Sequence, residues 1–147
     1  MNVLIDTGLW FAYYDGKDSY HQDAVKIMNL MEHHRILIPF PSLYETINTR
    51  FCRKKEWVES FRKLINSPQC SLVFDEAYKD CSLELSFNLS LKNKRAISLV
   101  DVVIRQMLSD INLKVDALIT FNPSDFEDVC RKTNKIIVSN FNMASVL

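Results

Sequence analysis

Two kinds of hydrophobic pattern alternate along the chain. Short runs, apolar throughout or with one terminal hydroxyl residue (Ser71, Thr120), occur at residues 3–5, 36–38, 71–74, 117–120 and 136–138. Runs of that length with no polar alternation read as strands buried on both faces. Between them, apolar residues recur at helical spacing. Leu9, Trp10, Ala12 and Tyr13 predict a short helix over 7–14, ended by the turn residues Asp15-Gly16-Lys17-Asp18. Ala24, Val25, Met28 and Met31 predict a helix over 21–34. Pro39 and Pro41 stop the second strand, and Ser42 opens a helix running to about Arg53. Trp57, Phe61, Leu64 and Ile65 mark a helix over 56–66 that Ser67-Pro68 breaks. A long amphipathic helix is expected over 76–89, then a polar, basic loop over 88–95. Residues 99–111 are apolar almost all round, which predicts a central, buried helix. Pro123 starts a helical turn. Strands alternating with helices predict an α/β domain in three layers, α/β/α, around a short, mainly parallel sheet of about five strands.

Composition narrows the class without naming a function. A chain of 147 residues fits one domain with a real core. Eighteen acids balance eighteen bases, so no global basic field exists to bind nucleic acid indiscriminately. No run approaches the roughly 20 apolar residues of a membrane span, so no membrane association is expected. Asp6 interrupts the first apolar run too early for a signal peptide. Cys52, Cys70, Cys81 and Cys130 form no C-x-x-C pair, which argues for reduced thiols and a cytoplasmic protein. Two glycines leave no room for a Gly-rich phosphate loop.

The chemistry sits in four acids. Asp6 follows the first strand. Glu45 lies in Pro41-Ser42-Leu43-Tyr44-Glu45, Asp101 in Ile97-Ser98-Leu99-Val100-Asp101, and Asp125 in Thr120-Phe121-Asn122-Pro123-Ser124-Asp125. Each has a structural explanation when taken alone. Asp6 can cap the helix that starts at Thr7, and Ser42-x-x-Glu45, Ser98-x-x-Asp101 and Ser124-x-x-Glu127 read as capping boxes. Capping does not explain why Asp101 lies in so apolar a stretch, where an unpaired carboxylate is costly. Acids at the carboxyl ends of buried strands occupy the edge where open α/β sheets place active sites. Gathered there, they would offer hard oxygen ligands to a divalent cation.

In this order and spacing the chain resembles the PIN domain, and within it the short VapC-type toxins of toxin–antitoxin pairs. The motifs are Val3-Leu4-Ile5-Asp6-Thr7, Ser98-Leu99-x-Asp101 and Thr120-Phe121-Asn122-x-x-Asp125-Phe126, and the resemblance spans residues 3–138. It implies a Mg2+- or Mn2+-dependent endoribonuclease, often a homodimer, inhibited by a small antitoxin bound near the active site. Carried over residue by residue, Asp6 and Asp101 match the central metal ligands, Glu45 the second acid and Asp125 the fourth. Thr7, Thr120 and Asn122 match supporting polar positions. Some members carry an acid where this chain has Asn122, so Asp125 acts alone, through water, or as a first-turn helix acid.

Arg50, Arg53, Lys54, Lys92, Lys94 and Arg95 are candidate RNA contacts, with a solvated surface as the alternative. Trp10, Phe11, Tyr13 and Tyr14 form either a base-stacking surface or, as the favoured reading, core or a dimer seam. His21, His33 and His34 have no spaced metal partner and read as structural. Three functions compete. The first is a toxin-type ribonuclease. The second is a PIN-like RNA- or protein-binding module without catalysis. The third is a phospho-acceptor or dehalogenase-type domain. The phospho-acceptor reading lacks the expected Lys, since Ser139 follows the last strand. The dehalogenase reading lacks a second acid, since Gly8 stands two residues after Asp6.

Overall fold

A computed structural model of the chain describes residues 1–92 and 96–139. Five strands form one parallel sheet in the order β3-β2-β1-β4-β5. They are β1 (Asn2–Ile5), β2 (Arg35–Pro39), β3 (Cys70–Val73), β4 (Ala117–Ile119) and β5 (Ile136–Val138). The first strand is therefore the central one. Leu4 stands opposite Leu37 on one side and Leu118 on the other.

The apolar runs are continuous because both faces of the sheet are covered. Val3, Ile5, Ile36, Ile38, Ala117 and Ile119 pack into one core with α1 (Thr7–Tyr14), α2 (His21–Leu30), α4 (Thr49–Cys52) and α5 (Lys55–Ile65). Leu4, Leu37 and Leu118 point the other way, into a second core with α7 (Leu99–Ser109) and α8 (Glu127–Thr133). Alternate residues of one strand thus serve opposite layers. The expected α/β/α architecture and its five strands are present.

The helices differ from expectation in four places. The 21–34 helix ends at Leu30, and Met31–His33 form a tighter 3-10 turn. Pro39 is the last residue of β2, and α3 (Phe40–Thr46) begins directly after it. Pro41 lies in the first turn of α3, where a missing N–H leaves no helical bond unmade. The predicted single helix from Ser42 to Arg53 is two, because Asn48 caps α4 by accepting from the Phe51 N–H at 3.1 Å. Further on, α6 (Lys79–Lys92) starts later than predicted and runs through the expected loop as far as Lys92. Finally, α7 is one-sided. It buries Val102, Val103, Ile104, Met107 and Leu108 but leaves Leu99 exposed and Arg105 half-buried, because the sheet covers one flank only.

Candidate active site

Asp6 ends β1 in a backbone ladder that β4 continues. Its N–H donates to the Ile119 carbonyl at 3.0 Å, and the Thr120 N–H donates to Val138 at 3.1 Å. The ends of adjoining strands therefore bring Asp6 and Thr120 together. The Thr120 hydroxyl donates to one Asp6 carboxylate oxygen at 2.7 Å, and the Thr7 N–H donates to the other at 2.7 Å. Asp6 is thus both the N-cap of α1 and a buried acid. Burial drives its carboxyl up from 3.8 to about 6 against the pull of the Thr120 bond, with the charges of Asp101 and Glu45 adding to the rise.

Glu45 arrives from α3. The Thr7 hydroxyl donates to its Oε2 at 2.6 Å, so Thr7 joins Asp6 to Glu45 through backbone and side chain. The expected capping box at Ser42 is absent: the buried Ser42 hydroxyl donates to the Pro39 carbonyl at 2.8 Å, and Glu45 faces α1 instead. Helix α3 opens two residues before Ser42, so the box register does not exist.

Asp101 sits in the first turn of α7. Ser98 caps that helix, accepting from the Asp101 N–H at 3.1 Å and donating to its Oδ2 at 2.7 Å. Burial raises the Asp101 carboxyl and the charge of Asp125 adds to it, while Ser98 and Arg105 oppose. Capping and gathering of charge therefore coincide at one residue. Asp125 lies in a 3-10 turn, Pro123–Asp125, after β4. The Asn122 N–H donates to the Thr120 hydroxyl at 3.0 Å, and the Asn122 side-chain amide donates to Asp125 Oδ2. The Ser124 hydroxyl bonds Asn122 Oδ1 at 2.9 Å, and α8 has Phe126 as its N-cap, so the predicted Ser124 box is not formed.

The pieces connect. One hydrogen-bonded chain runs Asp6–Thr120–Asn122–Asp125, and Thr7 ties Asp6 to Glu45. Asp101 is coupled to Asp6 and Asp125 through its charge. An open cleft of about 490 Å³ beside Asp6 is lined by Phe11, Tyr20, Asn48, Arg50, Phe121 and Asn122 among others. Four oxygen acids, two of them pushed upward by burial and by one another, suit a hard divalent ion that binds through one or two carboxylates and keeps its waters. Among the described residues no three such side chains lie close enough to hold an ion as they stand.

No family model and no curated protein matches the sequence. Solved structures do. VapC20 of Mycobacterium tuberculosis, described as a sarcin-ricin loop cleaving toxin, superposes with a TM-score of 0.65 at 16% identity, over 86% of this chain and 94% of that one. A chain of VapBC2 from Rickettsia felis, solved bound to a DNA fragment from its promoter, gives 0.61 at 19% identity, over 95% and 98%. The fold is VapC-like. At that identity the likeness speaks for architecture alone. It bears out the resemblance to VapC-type PIN domains drawn from the motifs. Within this chain, the bonds and couplings above link Asp6, Glu45, Asp101 and Asp125 beside the carboxyl ends of β1 and β4.

The other expected residues scatter. Arg50 lines the cleft but pairs with Asp15. Arg53 and Lys54 line a separate hollow with Lys55 and Trp57, the Lys54 ammonium 6.0 Å from the Trp57 ring centre. Lys92 is exposed at the end of α6, and Lys94 and Arg95 lie outside the described residues. Trp10 is fully buried, and Tyr14 packs edge-on against Phe51 and Phe61, so these rings are core rather than a stacking surface or dimer seam. The His21 ring bonds the Ala12 carbonyl at 2.8 Å and pins α2 to α1, a structural role. Sequence reasoning missed Arg105, which donates to the Asp125 carbonyl at 2.6 Å and to both Asp128 oxygens at 2.7 and 2.5 Å. Its signal was available, since Arg105 stands four residues after Asp101 on one face of α7.

Proposed function

We propose that the protein is a divalent-metal-dependent endoribonuclease, the toxin of a toxin–antitoxin pair. One observation carries the reading: a buried carboxylate at the end of the central strand of a VapC-like sheet, raised to about 6, coupled through charge to Asp101 and Glu45 and joined to Asp125 through Thr120 and Asn122. Asp6 and Asp101 would hold Mg2+ or Mn2+, with Glu45 and Asp125 reaching it through water. Bound there, the cation supplies a Lewis acid for the phosphodiester and activates water at neutral pH. The chain's own residues orient the acids. Thr120 and the Thr7 amide fix the Asp6 carboxylate, Thr7 holds Glu45, and Asn122 with Arg105 sets the Asp125 turn. Glu45 is the exposed member and would accept a proton from attacking water.

The partners follow from the same reading: an RNA substrate, a small antitoxin protein and a second copy of the chain, in the cytoplasm. The antitoxin is supported by the VapBC2 complex among the fold's neighbours. Among the described residues no helix is long and apolar enough to cross a membrane. A second reading, a PIN-like RNA- or protein-binding module without catalysis, is favoured by the spread of the acids, no three of which could hold an ion as placed.

The test is RNA cleavage by purified protein with Mg2+ or Mn2+ and with chelator, for wild type and Asp101→Asn. The expected result is metal-dependent cleavage that the variant loses by orders of magnitude, together with a smaller metal-induced rise in melting temperature. Cleavage by Asp101→Asn at the wild-type rate, with an unchanged metal response, would reduce Asp101 to a cap. No cleavage by wild type with either metal would leave the binding-module reading.

A further inference from the structure

The cleft that Asp6 lines, alone among the four acids, also has an aromatic wall. On the aromatic side the Tyr20 and Phe121 rings lie parallel, centres 4.6 Å apart and planes 8° apart. Phe121 is half-buried against the core that also holds Leu9 and Trp10, whereas Tyr20 is 37% exposed. Tyr20 sits on a fixed stretch of backbone. Its N–H donates to Asp18 Oδ1 at 2.8 Å, the His21 N–H donates to the Asp18 carbonyl at 3.1 Å, and the Tyr20 carbonyl accepts from Ala24 at 2.8 Å. Phe121 stands between Thr120, which holds Asp6, and Asn122, which holds Asp125. A stacked aromatic pair thus begins one residue from the acid network.

We propose that the Tyr20–Phe121 pair is a nucleobase subsite. An unpaired base of single-stranded RNA, one nucleotide removed from the phosphate at the acids, stacks on Tyr20 in this cleft. The proposal rests on the ribonuclease reading for the neighbouring acids, but its geometry stands apart from them. Bases in a duplex are stacked on one another and have no free face to offer, so an aromatic platform selects loops and single strands. The cleft, at about 490 Å³, has the volume of an ordinary small-molecule site and admits a nucleotide. Arg50 lines the same cleft with its side chain 72% exposed while paired with Asp15, so its guanidinium can also meet a backbone phosphate. Phe121 backs the Tyr20 ring and Asp18 locks its backbone, so little ring freedom is lost on binding.

Short single-stranded RNAs, each carrying one 2-aminopurine at a different position, test this, because 2-aminopurine fluorescence falls when the base stacks. Titrations of full-length wild type, Tyr20→Phe and Tyr20→Leu in chelator read binding without cleavage. Tyr20→Leu keeps apolar bulk over Phe121 and removes the π face, and melting temperatures check the fold of each variant. Wild type and Tyr20→Phe should quench one position, and Tyr20→Leu should lose that quenching and bind roughly tenfold more weakly. An abasic residue at that position should weaken wild type by a similar factor and leave Tyr20→Leu unaffected. Absence of quenching by wild type, equal quenching by Tyr20→Leu, or an abasic penalty that persists in Tyr20→Leu would overturn the subsite. The two readings fail separately. A protein that stacks the base but cuts no RNA with Mg2+ or Mn2+ overturns the nuclease and keeps the subsite. One that cuts RNA at the same rate as Tyr20→Leu, without quenching, does the reverse.

Discussion

Asp6 accepts two hydrogen bonds of 2.7 Å, yet its proton is held more tightly than in water. Burial outweighs both bonds, and Asp101 and Glu45 repel the charge that ionisation would create. The sign of the pH dependence follows. The carboxyl titrates at 3.8 in the unfolded chain and at about 6 in the folded one. Between those values the folded state binds more protons, so this group's contribution to stability falls as pH rises through the window and is level above it. A shift from 3.8 to about 6 corresponds to roughly 3 kcal/mol. Denaturant unfolding of the metal-free protein, in chelator, checks it. The advantage of Asp6→Asn over wild type should be near zero at about pH 4 and grow toward that figure at neutral pH. An offset that does not change with pH would mean that Asp6 ionises freely. Asp6 itself was legible in the sequence because an acid that closes a buried apolar run has few structural uses. That the strand end carrying Thr120 lies beside Asp6 follows from the parallel sheet the pattern predicts, whereas the hydrogen bond between the two side chains does not.

At the scale of elements, α7 joins the acid cluster to the turn after β4. It carries Asp101 in its first turn, and one turn later Arg105 grips the Asp125 carbonyl and the Asp128 carboxylate. That grip pulls the Asp128 carboxyl down to about 2. Arg105→Lys keeps the charge but cannot span both acceptors. Stability should fall by only about 1 kcal/mol, because Asp128 stays largely hydrated when released. Cleavage should fall by roughly tenfold, because the Asp125 turn loses its tether. Equal activity with lowered stability would make Arg105 a strut alone. The sequence located the strands well, because strands covered on both faces have to be apolar throughout. It was partly wrong over 40–53: Pro39 does end β2, but Pro41, read as a second stop, sits in the first turn of α3, and the single helix expected there is two. It also failed at Ser42 and Ser124. Both hydroxyls find partners set by neighbouring turns, so the local box pattern was a coincidence of spacing. The Arg105 fork and the Tyr20 stack depend on how α7, α8, α2 and the β4 turn pack, which no short window contains.

At the scale of the molecule, the apolar surface left open is not the one expected. Trp10 and Tyr14 are absorbed by the core, whereas α6 buries only Ser82 and exposes Leu83, Phe87 and Leu91 at successive helical turns. The prediction is that this stripe, facing itself across a two-fold axis, forms the seam of the proposed homodimer. Light scattering should give a dimer for wild type at micromolar concentration and a 17.1 kDa species for the Phe87→Asp, Leu91→Asp double variant. A wild-type species of 17.1 kDa would remove the dimer, and a double variant that stays dimeric would move the seam elsewhere. Of the five strands the central one is made first, but its β4 neighbour and the Thr120 hydroxyl that orients Asp6 come 114 residues later. An emerging chain therefore carries Asp6 without its Thr120 partner until β4 has been made. An enzyme whose substrate is RNA would stay harmless to the machinery making it until the last strands dock.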